Sequence, residues 1–112
     1  MNVSDSECSK SESSIELQVN ELLSSQVNII YSKMNASIEE FAIKTCKKAQ
    51  SSFKQDYPKV NFIINKLTEQ FGPEWNCITG KNPRVNWTLY CEEYEVGLTI
   101  ELNEQMFSLY QE

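Results

Sequence analysis

Apolar and polar residues recur along this chain in two periods, and the period changes at Pro73. Residues 1–13 (MNVSDSECSKSES) show neither period and are polar, acidic and serine-rich, as in segments that cannot bury enough surface to order themselves. Ile15, Val19, Leu22 and Leu23 then form a short helical stripe, and Val27–Tyr31 reads as a short strand between Ser25 and Ser32. A longer helix is expected from about Ser37, where Ser37 and Glu40 have capping-box spacing. Its apolar face runs through Ile38, Ala42, Cys46, Ala49 and Phe53. Asp56-Tyr57-Pro58 breaks the pattern, with proline suited to the first turn of a second helix. That helix carries Val60, Ile63, Leu67 and Phe71 on one face and stops at Gly72-Pro73.

Beyond Pro73 the alternation is that of strands. Trp75, Cys77 and Thr79 share one face, and Gly80-Lys81-Asn82-Pro83 is turn chemistry. Val85, Trp87, Leu89 and Cys91 alternate with polar residues and Tyr90, which predicts another strand. Tyr94 to Leu102 predicts a half-buried strand, Asn103-Glu104 a tight turn, and Met106–Tyr110 a last strand. The order strand, helix, helix, then strands is an α+β pattern, with two helices packed on an antiparallel sheet. At 112 residues the chain suits one domain, spanning 25–112, after a flexible acidic extension over 1–24.

Charge narrows the function. The net charge is −6, and five acids against Lys10 place −4 of it in residues 1–24. With no basic cluster, binding to nucleic acid or to an acidic membrane surface is not expected. No apolar run approaches the roughly 20 residues of a membrane span, and no signal peptide is visible. Free thiols in a reducing, cytoplasmic setting are therefore expected for Cys8, Cys46, Cys77 and Cys91. The sequons at Asn2, Asn35 and Asn86 then have no consequence.

Catalytic constellations are missing. The chain has no histidine, only three glycines, and no two cysteines at C-x-x-C spacing. This excludes histidine-based acid–base chemistry, a glycine-rich phosphate loop and the usual zinc or redox pair. Glu39/Glu40 and Glu92/Glu93 are adjacent carboxylates that read as solvated charge. Cys77, beside Trp75 on an apolar face, reads as a small buried hydrophobe. No enzyme, cofactor or metal is expected.

The run FGPEWNCITGKN, Phe71 to Asn82, resembles the signature of the dynein light chains of the light-chain-eight type. Phe71, Pro73, Trp75, Cys77, Ile78, Gly80 and Asn82 stand at the family's offsets, and the upstream strand and helices keep its spacing. The resemblance spans about residues 25–112. It implies a strand-exchanged dimer, in which one strand of each subunit joins the partner's sheet. By correspondence that strand is Val85, Asn86, Trp87, Thr88, Leu89 and Tyr90, with Asp56, Tyr57 and Arg84 at the groove rim. A partner's extended segment would add to it by β-augmentation.

The departures are local. The family's groove strand reads Phe-Gly-Ser-Tyr-Val-Thr-His-Glu, of which only Thr88 is kept. Tyr57-Pro58 replace a Lys-Asp pair that receives a partner glutamine, and Asn76 replaces an interface histidine. The resemblance implies a non-catalytic light chain that binds a dynein intermediate chain, with an axonemal dynein arm in a cilium as one setting. The dimer would be with itself or with a sister light chain. The alternative is a cytosolic dimerisation adaptor for partners other than dynein.

Overall fold

The computed structural model describes residues 27–112 and, ahead of them, two short strands, β1 (Val3–Ser4) and β2 (Ser6–Glu7), paired antiparallel. The rest of the expected extension over 1–24, with its Ile15–Leu23 stripe, lies outside the described residues. The main body contains β3 (Val27–Lys33), α1 (Ala36–Ser52), α2 (Asp56–Phe71) and β4 (Trp75–Gly80). It continues with α3 (Leu89–Glu92), β5 (Val96–Leu102) and β6 (Gln105–Gln111). The four main strands form one antiparallel sheet in the order β3-β5-β6-β4.

Local chemistry fixes the ends of these elements. α1 starts earlier than Ser37: Asn35 is its cap, and the Asn35 side chain accepts the Ile38 N–H at 2.9 Å. An asparagine in extended backbone meets the free amides of the first turn directly, so the expected Ser37/Glu40 box is not needed. Pro58 falls in the first turn of α2, and Gly72 stops that helix at φ 92. Asn103 and Glu104 join β5 to β6, both at positive φ, as a two-residue hairpin of the primed type demands.

α1 and α2 cover one face of the sheet. Ala42, Cys46 and Ala49 of α1 and Ile63 and Leu67 of α2 are fully buried there against Leu98, Ile100, Phe107 and Leu109. These are the helical stripes and the core-facing strand residues expected from the sequence, but β5, expected to be half-buried, is buried on both faces from Gly97 to Ile100 because residues beyond β4 cover its other side. The strands are slightly longer than expected at β3 and β6, and β5 begins at Val96 rather than Tyr94.

One feature of this core had no counterpart in the expectations. Lys59 is 5% exposed and Gln105 is fully buried. The Lys59 ammonium donates to Gln105 Oε1 at 2.8 Å, and Gln105 Nε2 lies 2.8 Å from both Asp56 Oδ1 and Thr79 Oγ1. Thr79 in turn donates to the Met106 carbonyl at 2.7 Å. The network ties the start of α2 to the far end of β4. A buried ammonium left without an acceptor is costly, whereas removing both partners together is nearly neutral. Gln105→Leu is therefore expected to destabilise the protein by about 3 kcal/mol in urea denaturation. Lys59→Met in the same chain should restore most of that loss; a double variant as weak as the single one would show that Lys59 does not depend on Gln105.

Candidate functional site

β4 is an outermost strand of the sheet. It pairs with β6 in unbroken register from Trp75↔Gln111 to Gly80↔Met106. Its other side has no strand partner among the described residues. The opposite edge, β3, has a register shift between Ile29 and Tyr31 where it meets β5, and both Ile29 and Ile30 are exposed. A bulge bends an edge and discourages further pairing. Of the two edges, β4 is the regular one and offers six residues of straight backbone for strand addition.

The chain after β4 folds back across the sheet face opposite the helices. Asn82 directs the turn: its side chain accepts the Arg84 N–H at 3.0 Å, and its carbonyl accepts the Trp87 indole N–H at 2.8 Å. The Trp87 ring lies so close to Gly80 that a Cβ there would sit 2.8 Å from it. Cys91 meets Gly97 in the same way, also at 2.8 Å. Ser108 Oγ donates to the Trp87 carbonyl at 2.7 Å and lies 3.1 Å from Thr99 Oγ1, which in turn is 3.3 Å from the Cys91 sulfur. Tyr94 and Tyr110 stack at 4.5 Å. Small residues in the sheet thus make room for this cover, and its polar atoms answer those of the sheet.

The expected strand over Val85–Tyr90 is therefore corrected. Residues 83–88 are turns and bends, and Leu89 already belongs to α3. The physical reason lies in spacing. Trp87 and Cys91 are four residues apart, so one helical turn brings both to the sheet side as well as a strand would. Pro83, with no N–H, and the Asn82 turn settle which.

The expected site residues separate accordingly. Trp87 is buried, Val85 and Thr88 are half-buried, and Asn86, Leu89 and Tyr90 are exposed. Leu89, at 59% exposure, fills no pocket. Thr88 Oγ1 lies 2.8 Å from Asn86 Oδ1 and 3.1 Å from Glu92 Oε2, so its proton is used locally. Of the rim residues, Asp56 is held near the end of β4 by Gln105, Tyr57 is 76% exposed, and Arg84 is exposed on the turn. Val85, Trp87 and Thr88 line a cleft of ≈ 290 Å³ with Ile30, Glu101 and Met106. Lys59 and Gln105 were missed from the sequence. The visible signal was that Lys59, Ile63 and Leu67 share one helical face.

Cys46 and Cys77 are poor nucleophiles. Burial pushes the Cys77 thiol up to about 12, with Cys91 beside it adding to the rise. Burial also pushes Cys46 well above its ordinary value, with Cys77 contributing. Among the described residues no group of histidine, cysteine and acidic side chains is placed to hold a metal ion, and no helix is long and apolar enough to cross a membrane.

The profile of the dynein light chain type 1 family matches residues 26–108. In solved structures the fold is similar to the dynein light chain-like domain of the Fasciola hepatica calcium binding protein FhCaBP2. The mercury derivative of that domain superposes with a TM-score of 0.64 at 12% identity, covering 78% of this chain and 92% of that one. The native crystal form gives 0.64 and 12% as well, over 77% and 90%. No curated protein sequence matches the chain.

The Cys77 environment has a measurable consequence. Its folded value lies above the ordinary 9.0, so folding favours the protonated thiol. That contribution to stability is whole below pH 9.0 and is lost as pH rises towards about 12. Stability should fall more steeply above pH 9.0 in the native chain than in Cys77→Ala. At pH 8, peptide mapping after alkylation should show the partly buried Cys77 reacting at least about tenfold more slowly than a free cysteine, because its raised pKa lowers the thiolate fraction. Labelling at the free rate would contradict its burial.

Proposed function

This chain belongs to the dynein light chain type 1 family, and we propose that it is a non-catalytic light chain subunit that carries a segment of a partner protein by β-strand addition. The partner in this reading is a dynein intermediate chain, in the cytoplasm or in an axonemal dynein arm. The subunit acts in pairs, with a second copy or a sister light chain. The observation that carries the reading is the regular outer edge of β4 in a member of this family. An edge of that kind bonds an incoming strand through its backbone, while adjacent side chains select the sequence. Trp87 packs over the Gly80 end of β4, and in this reading its segment, Val85–Tyr90, is the one that exchanges or selects.

The test is affinity capture of the full chain from cells, followed by hydrogen exchange on the complex. A co-eluting chain in equal amount is expected, with new protection at Trp75–Gly80 and Val85–Tyr90. Capture of a partner outside dynein, with protection at the same edge, would favour the cytosolic adaptor instead. A complex that leaves β4 unprotected would refute strand addition.

The specificity of this site is expected to differ from the Thr-Gln-Thr type of segment. Asp56 already accepts from Gln105 of its own chain, and Tyr57-Pro58 offer no charged pair to an incoming glutamine. A buried polar group without partners costs about 1–3 kcal/mol. Titration calorimetry should therefore show such a peptide binding roughly tenfold to a hundredfold more weakly than to a member with the Lys-Asp pair. Binding at full strength, abolished by Thr88→Ala, would contradict this.

A further inference from the structure

Between them, α1 and α2 line a second cleft of ≈ 270 Å³. Phe41 and Phe62 form its apolar walls, with Thr45 between them. The Thr45 hydroxyl is turned back onto the Phe41 carbonyl at 2.8 Å, so the lining has little polar character. Lys44, Lys48 and Lys66 frame it, and the Lys66 ammonium stands 5.7 Å from the centre of the Phe62 ring. Lys44 and Lys66 have acidic neighbours on their own helices, Glu40 at 3.5 Å and Glu69 at 3.9 Å. Such exposed pairs hold their lysines weakly. The cleft thus asks for an occupant that is apolar along its centre and acidic at its border.

The chain itself contains a segment of that description. Residues 12–23 carry Ile15, Val19 and Leu22 at helical spacing, and Glu12 and Glu16 each precede a stripe residue by three, which sets them beside it. The same N-terminal residues 1–24 hold −4 of the chain's net charge of −6, whereas the cleft holds three lysines. Reach is sufficient. Val27 pairs with Leu102, whose carbonyl accepts from Gln50 near the end of α1, only two residues beyond Lys48. From Val27 back to Ile15 the chain spans about 18 Å as helix and about 40 Å extended, enough to round a helix about 10 Å across.

We propose that the acidic segment 12–23 docks intramolecularly in the cleft between α1 and α2, its Ile15, Val19 and Leu22 against Phe41 and Phe62 and its carboxylates against Lys44, Lys48 and Lys66. Tethering makes the effective concentration high, so modest contacts suffice. The cleft is lined by α1 and α2 and includes no residue of β4, so this inference does not rest on the proposed function.

The test uses hydrogen exchange on the full-length protein. Amides of residues 12–23 should be protected, and the triple variant Lys44→Glu/Lys48→Glu/Lys66→Glu should exchange there about tenfold faster, the combined loss of the rim contacts. Unchanged protection in β5 and β6 shows that the fold is kept. Adding Glu12→Lys and Glu16→Lys to the triple variant should bring the protection back. Ile15→Asp/Val19→Asp in the native background should also release the segment. Equal exchange of residues 12–23 in native and triple-variant chains would overturn the proposal. So would protection that rises with protein concentration, which would place the segment on a second copy.

Discussion

The structure depends on the need to bury the β5–β6 hairpin on both faces. From Gly97 to Ile100 and from Phe107 to Leu109 every residue is buried, although Thr99 and Ser108 are polar. A helix pair can cover only one face. The other must be closed by something that brings both bulk and hydrogen-bond partners, since Thr99 and Ser108 have left water. Within the chain that role falls to residues 82–94, through Trp87, Cys91 and the Trp87 carbonyl. Gly80 and Gly97 are the two places in the sheet where a side chain would keep this cover away.

The same requirement organises the rest. Because β5 and β6 take the centre, β3 and β4 are left as edges. The bulge blunts β3, while the Gln105 network stiffens β4 from the helix side by holding Thr79 and Asp56 together. A strand edge held straight and anchored at one end is a better template for an incoming segment than one free to twist.

Much of this was legible in the sequence where periodicity is long and unopposed. The stripes of α1 and α2 and the alternation of β5 identify the residues that face the shared core, Ala42, Cys46, Ala49, Ile63, Leu67, Leu98 and Ile100. They do not show that the other face of β5 and β6 is covered as well. The signature from Phe71 to Asn82 places β4. What escaped depends on partners distant in sequence. Lys59 looks like surface charge until Gln105, 46 residues away, is brought to it. Asn35 competes with Ser37 for the same cap, and only the path of the chain out of β3 decides between them. The strand expected at Val85–Tyr90 failed for the most general reason: a strand is defined by what it pairs with, and alternation over six residues does not supply a neighbour.

That failure bears on how strand pairing could work in this chain. For Val85–Tyr90 to leave the sheet face and lie along an edge, Trp87 must surrender a buried position worth about 3 kcal/mol. Ser108 must give up the Trp87 carbonyl, and Thr99 the contact with Cys91. A six-residue edge returns backbone hydrogen bonds at about 1 kcal/mol each, less the entropy of ordering the segment. At about 1–2 kcal/mol per ordered residue that entropy consumes the gain, so backbone pairing alone does not drive the exchange. The balance passes to whatever covers Thr99, Ser108 and Trp87 after the segment has moved. A second subunit that lays its own apolar surface on that face restores the burial, whereas a lone peptide at the edge does not. An exchange of this segment would for that reason need the second subunit in the same step, and a partner segment that binds without one would have to leave residues 82–94 where they are.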